Sequence, residues 1–176
     1  MIQVTVAGYR LRLAEDLSDY YEHEVAHADR FDAFALEAEK LAVFSVAVSR
    51  GHDWPFLIVA QRYHPASEGG FFPGVLLVPE TEILFIGAGE RLLAYSLREP
   101  THLWEDKADI GFWHWQRHED VVIMSAEVEL AAWDLQGKKL WTTFVEPPWE
   151  YRVEAGMVQL YVMGTLSDFP LHAGPH

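Results

Sequence analysis

The chain contains no cysteine. That excludes a disulfide framework, a thiolate nucleophile and any cysteine-ligated metal centre. Positive charge is also scarce: 13 Lys and Arg stand against 27 Asp and Glu, for a formal net charge of −14 at pH 7. A surface that repels anions this strongly suits neither a phosphate backbone nor an anionic bilayer, so neither nucleic acid nor membrane is expected as a partner. A protein, and a basic one in particular, fits the charge. No apolar run approaches the roughly eighteen residues of a membrane span. The first residues, Met1-Ile2-Gln3-Val4-Thr5-Val6, lack the basic start and apolar core of an export signal, and a cytoplasmic location is expected.

What the chain has in excess is aromatic rings: seven Trp, seven Tyr and ten Phe in 176 residues. Such side chains favour pleated, packed surfaces, and the order of the sequence agrees. From Val43 to Met163 short apolar runs follow one another, among them Val43–Val48, Phe56–Ala60, Val75–Val78, Ile83–Ile86, Leu92–Leu97, Val121–Met124, Leu130–Leu135, Leu140–Val145 and Val158–Met163. Turn residues separate them, as at Pro79-Glu80-Thr81, Gly87-Ala88-Gly89, Gln136-Gly137 and Glu154-Ala155-Gly156. The spacing leaves no room for crossover helices, so an antiparallel meander is expected. Residues 1–176 read as one domain in three parts: an N-terminal hairpin with an acidic, partly helical segment (1–42), repeated β units (43–163) and a tail (164–176).

The β region repeats. The segment from Leu84 to Leu97 aligns without a gap with Val122 to Leu135, and Leu103-Trp104 then matches Leu140-Trp141. Trp113-His114-Trp115 likewise matches Trp149-Glu150-Tyr151, and a fainter copy runs from Val43-Phe44 through Phe56–Ala60 to Gly70-Phe71-Phe72. Ala132-Trp133-Asp134-Leu135-Gln136-Gly137-Lys138-Lys139-Leu140-Trp141, and less fully Ala94-Tyr95-Ser96-Leu97 with Leu103-Trp104, resemble the pyrroloquinoline-quinone-type β-propeller repeat. The resemblance covers about residues 83–163 and departs from the pattern where Ser96 replaces the acid and Arg98-Glu99-Pro100-Thr101 the glycine turn. It implies four-stranded blades with a Trp docked between neighbours, and it assigns no activity. Three such units fall short of a closed ring. The fold class expected is therefore mainly β, an incomplete propeller or a sandwich with one or two short N-terminal helices. Its exposed faces would be covered by curling, by the N-terminal segment or by a homodimer.

The front of the chain differs. Ile2, Val4 and Val6, then Gly8, then Tyr9, Leu11 and Leu13 spell a hairpin. Residues 15–39 hold nine acids against Arg30 alone, which is more than half of the net charge. Ser18 could cap a helix from Asp19 to Ala28, and Ala33 to Leu41 reads either as a second helix or as a strand through Phe34, Leu36 and Ala38.

Two groups of residues could carry function. His23-Glu24-Val25-Ala26-His27 resembles the HExxH signature of zinc metalloproteases, in which case His23 and His27 would bind Zn²⁺ and Glu24 would act as general base. The extension of that signature fails, with Arg30 and Ala33 at its Gly and His positions, and the other reading is an acidic surface helix. Phe112, Trp113, Trp115, Trp149 and Tyr151 recur at equivalent positions, either as a binding platform or as packing between units. Pro147-Pro148 would hold Trp149 outward. His114 and His118 have i,i+4 spacing but lie on a strand, too far apart for one metal. Ser49, His52 and Asp53 lack the elbow of a triad, and Gly87-Ala88-Gly89 is a turn. The function expected is a non-catalytic binding module, of immunity or scaffold type, without cofactor; the alternative is a small zinc hydrolase.

Overall fold

The structure is a computed structural model and describes residues 1–17, 21–35, 41–51, 53–65 and 72–175. The hairpin β1 (Ile2–Val6) and β2 (Tyr9–Ala14) leads to a helix, α1 (Tyr21–His27), and then to β3 (Arg30–Phe34), β4 (Ala42–Arg50) and β5 (Leu57–Tyr63). These strands form one five-stranded sheet in the order β1-β2-β4-β5-β3. Three blades follow. The first is β6 (Gly74–Val78), β7 (Ile83–Ala88), β8 (Arg91–Ser96) and β9 (Thr101–Lys107). The second is β10 (Phe112–His118), β11 (Val121–Ala126), β12 (Glu129–Asp134) and β13 (Lys139–Phe144). The third has three strands, β14 (Trp149–Glu154), β15 (Met157–Val162) and β16 (Thr165–Pro170). The chain is thus mainly β, built of small sheets that close no barrel. Among the described residues no helix is long and apolar enough to cross a membrane.

The sheets stack face to face, and each interval holds a core. Leu11, Val46, Val48, Leu57 and Val59 of the N-terminal sheet pack against Leu84, Ile86, Leu93, Tyr95 and Leu97 of blade 1. Phe85, Leu92 and Ala94 on the other face of blade 1 meet Trp115, Val122, Met124 and Trp133 of blade 2. Val121, Ile123, Leu130, Ala132 and Trp141 of blade 2 meet Val158, Leu160 and Phe169 of blade 3. Inner strands therefore bury both faces, which is why Ile83–Ile86 and Val121–Met124 are uninterrupted apolar runs. Each such side chain withdrawn from water contributes about 1.5–3 kcal/mol.

The expected Trp dock is present twice. Trp104 Nε1 donates to the Gly137 carbonyl of blade 2 at 2.6 Å, and Trp141 Nε1 donates to the Leu171 carbonyl beyond blade 3 at 2.7 Å. In each case a β-bulge precedes the ring: Leu103 and Leu140 are the unpaired extra residues, and the bulge turns the following Trp onto the next blade. Both docks are floored by a left-handed glycine. A Cβ on Gly174 (φ 75) would lie 2.5 Å from the Trp141 ring, and one on Gly137 (φ 83) 3.2 Å from Trp104 Nε1.

Several expectations need correction. The hairpin is not a separate part, because β2 pairs with β4 along its whole length and completes the sheet that covers blade 1. Val43–Val48 and Phe56–Ala60 belong to this sheet and not to a first blade. The meander is broken by β3, which pairs in parallel with β5; α1 supplies the crossover. The helix spans Tyr21–His27, with its proposed Ser18 cap outside the described residues. Around Ala33 the strand alternative holds, since Arg30–Phe34 is β3, while Leu36 and Ala38 lie outside the described residues. Residues read as a tail include β16, and Leu171 is fully buried.

Candidate functional site

The aromatic group divides. Trp113 is the extra residue of a bulge between Phe112 and His114, so Trp113 and Trp115 do not share a face as regular alternation would require. Trp115 points into the core between blades 1 and 2, its ring centroid 5.2 Å from Phe85 and 5.4 Å from both Phe112 and Trp133. A ring enclosed on those sides cannot be a platform. Trp113 instead lies flat against Trp149, at 5.2 Å and 7°. Trp149 Nε1 donates to the Glu127 carbonyl at 2.9 Å, and the Tyr151 hydroxyl donates to Gln116 Oε1 at 3.0 Å. Trp149 is therefore folded onto blade 2 and not held outward by Pro147-Pro148. Burial pushes the Tyr151 hydroxyl up to about 12. Trp113, Trp149 and Tyr151 are half-buried, and the polar atoms of Trp149 and Tyr151 are spent on the neighbouring blade, so they fasten blade 3 to blade 2.

The HExxH segment does lie on a helix. Its chemistry is different, because Glu24 is buried and ion-paired with Arg12 of β2 beneath the helix. A general base needs its carboxylate directed at a metal-bound water. His23 and His27 are exposed on the other side; His27 Nδ1 bonds the His23 carbonyl at 2.7 Å, and its ring stacks on Trp54 at 5.1 Å. No group of three or more His, Asp or Glu that could hold a metal ion exists among the described residues. The donor set does not fit a zinc centre. His114 and His118 stand on β10, where His118 meets the edge of the Tyr151 ring. Ser49 is buried with its hydroxyl accepting from Arg10 Nε at 3.1 Å, and His52 lies outside the described residues.

The cavities are elsewhere, on the outer face and end of the N-terminal sheet. Small residues on that face, Ala47 and Ser49 among them, leave room between the sheet and α1. A cleft of about 840 Å³ opens there, with Leu17, Phe44 and Phe72 among its walls and Glu15, Asp16 and Glu24 on its polar side. Met1, Ile2, Leu17 and Phe72, all lining it, are among the exposed large apolar side chains. Acid and apolar surface thus meet in one concavity, where Arg12 is paired with Glu24. The alternation of β1 and the acids from Glu15 onward were both legible; that they border one cleft was not.

A stack of three- and four-stranded antiparallel blades with a bulged Trp dock between neighbours defines a propeller-like protein. No protein-family model matches the chain, and no curated protein matches it. Solved structures do. BamB from Moraxella catarrhalis aligns over 83% of this chain and 49% of its own, at 14% identity and a TM-score of 0.46. Hsv2 from Kluyvelomyces marxianus aligns over 83% of this chain and 51% of its own, at 9% identity and a TM-score of 0.37. The chain spans about half the length of these structures.

Proposed function

We propose that this protein is a non-catalytic interaction module, of scaffold or immunity type, that takes a basic segment of a partner protein into the cleft beside α1. The observation that carries the reading is the cleft itself: an apolar floor large enough for side-chain anchors, with Glu15 and Asp16 beside it. Apolar contact supplies affinity there, while the acids select a cationic partner and speed its approach in the field of a chain with net charge −14. The blade seams are filled by their own rings.

The reading is tested with a peptide alternating leucine and lysine against its leucine–glutamate counterpart. The basic peptide should bind saturably, and its affinity should fall at least about fivefold between low salt and 0.5 M as screening removes the charge contribution. Glu15→Gln with Asp16→Asn should weaken it, and Phe72→Ala should weaken it without changing the salt slope. Equal binding of the two peptides, or no binding by either, would defeat the reading.

A further inference from the structure

An edge strand leaves a row of backbone donors and acceptors unpaired, and proteins usually blunt it with charge, proline or cover. Most edges of these sheets obey that rule: Asp32 lies on β3, Glu105 on β9, Arg117 on β10, Lys139 on β13, Arg152 on β14, and Asp168 with Pro170 on β16. The β6 edge has no charge and is covered instead, since β10 packs so close that a Cβ on Gly74 would lie 3.3 Å from the Phe112 ring. β1 is the exception. Ile2-Gln3-Val4-Thr5-Val6 has no charge and no proline, is exposed along almost its whole length, and among the described residues pairs with β2 alone.

The free edge of β1 has a defined chemistry. Val6 and Tyr9 close a two-residue turn at Ala7-Gly8, both with positive φ, so that pair exchanges backbone bonds and the alternation extends to Val4 and Ile2. Gln3 and Thr5 therefore direct their N–H and C=O groups away from β2. The side chains alternate as well. Ile2, Val4 and Val6 lie on the face of Leu13, Leu11 and Tyr9, which packs on blade 1, but with a neighbour on one side only Ile2 stays 63% exposed and Val4 43%. An added strand would pair the outward backbone groups and cover the apolar row together.

The strand that fits follows from what adjoins the edge. Met1 and Ile2, at the start of β1, are also walls of the acidic cleft, so edge and cleft form one continuous path. A second copy would bring another net charge of −14 to the pairing, whereas a basic segment anchored beside Glu15 and Asp16 brings the opposite sign. We infer that the partner's segment leaves the cleft at Ile2 and adds to β1 as a sixth strand of the N-terminal sheet, with apolar side chains at alternate positions beside Val4 and Val6. The inference rests on the reading of that cleft and adds to it the extended conformation and the alternating sequence of the partner.

The test uses acetyl-Val-Thr-Val-Thr-Val-Lys-Leu-Lys-Leu-amide and the same residues in reverse order, since the added strand can run either way. Amide hydrogen exchange is followed residue by residue in the protein. Without peptide the Val4 and Val6 amides should be protected and those of Gln3 and Thr5 should not; saturation with the tighter peptide should slow Gln3 and Thr5 at least about tenfold. A strand bonds its neighbour through alternate residues only, so N-methylation of the threonines or of the valines, one set and not the other, should weaken binding at least about tenfold. Thr5→Pro removes an outward N–H without touching the ladder to β2 and should weaken binding to a similar degree. The methylated peptides leave the protein unaltered, so they decide the matter if that variant is unstable. Binding with Gln3 and Thr5 exchanging as before, or equal effects of the two methylated sets, would overturn the inference while leaving the cleft reading intact. Protection of Gln3 and Thr5 in the free protein that is lost on dilution would overturn it too, because the edge would then belong to a second copy. Failure of the cleft reading looks different: Gln3 and Thr5 would gain protection while Glu15→Gln with Asp16→Asn changed neither affinity nor salt slope, so the strand addition would stand and its anchor would not.

Discussion

Blades 2 and 3 run their strands in the same directions and turn similar faces toward the blade before them, yet their opposite faces are unlike. One row of paired residues shows the difference. Across blade 2 it reads Gln116, Ile123, Ala132, Trp141, and across blade 1 Leu76, Phe85, Ala94, Trp104. In blade 3 the same row reads Arg152, Gln159, Asp168, with no fourth strand among the described residues. Where the first two blades place an apolar pair for the next blade to cover, the third places an amide opposite a carboxylate. Pro170 on β16 withholds a backbone donor from the edge as well. The rows on either side of Arg152, Gln159 and Asp168 are mixed, with Tyr161 and the exposed Leu166 beside Glu150, and the exposed Met157 beside Glu154. At the other end the N-terminal sheet turns Arg10, Arg12, Ala47 and Ser49 outward beneath α1.

The comparison breaks most sharply by exchanging its residues. Ala132→Asp puts blade 3's carboxylate into blade 2's fully buried position, and should cost more than about 4 kcal/mol in urea unfolding because no cation is there to pair it. Asp168→Ala, the reverse change on the exposed face, should stay within about 0.5 kcal/mol. Equal costs would mean the two faces are not environments of different kind.

Next in size is the dock. Trp141 is buried, caps Phe169 edge-on at 5.4 Å and donates to Leu171, so Trp141→Ala should cost about 3–5 kcal/mol. Trp149→Ala removes a half-buried ring at the same seam and should cost less than half as much. If Trp149 proves the more costly of the two, the bulged Trp is not the principal fastening of blade 3.

A smaller thermodynamic change with a visible consequence is Gln159→Ile combined with Asp168→Ala, which rewrites blade 3's row in blade 2's terms. Monomer stability should move by no more than about 1 kcal/mol, while sedimentation should show concentration-dependent association through the new apolar face. A variant that stays monomeric at high concentration would show that the polar row is not what ends the stack.

The blades were legible in the sequence because a blade is a local object. Leu103-Trp104 and Leu140-Trp141 sit at matching places in a repeat, and the uninterrupted runs reveal strands buried on both sides. What escaped depends on residues far apart or on a single-residue slip. A bulge at Trp113 leaves no mark in the alternation of Phe112 to His118, yet it decides that Trp113 faces blade 3 and Trp115 faces blade 1. The parallel pairing of β3 with β5 is invisible to any rule about adjacent runs. Glu24 reads as a catalytic base until Arg12, twelve residues earlier on another element, takes its carboxylate. The cleft escaped for the same reason, since Ile2 and Phe44 border it together only once β2 has paired with β4.

The smallest effect separates the seams by chemistry. The seam of blades 1 and 2 is packed by Phe85, Trp104, Trp115 and Trp133, none of which titrates. The seam of blades 2 and 3 has His114 and His118 on β10, and burial lowers both from the ordinary histidine value, with Glu119 pulling His118 the other way. The unfolded chain then takes up protons near pH 6.5 that the folded chain refuses, so stability is complete above that value and falls as pH drops below it. Tyr151 has the opposite sign: raised from 10.0 to about 12, it contributes below pH 10 and is lost as pH rises through 12. Because both histidines keep contact with solvent, the acid effect should be under about 1 kcal/mol. Hydrogen exchange should nonetheless place it: between pH 7.5 and 5 the amides of β14 to β16 lose protection ahead of those of β6 to β8, and His118→Gln narrows the gap. Uniform loss across all three blades would mean that the seams unfold as one unit, and that the chemical difference between them has no separate mechanical expression.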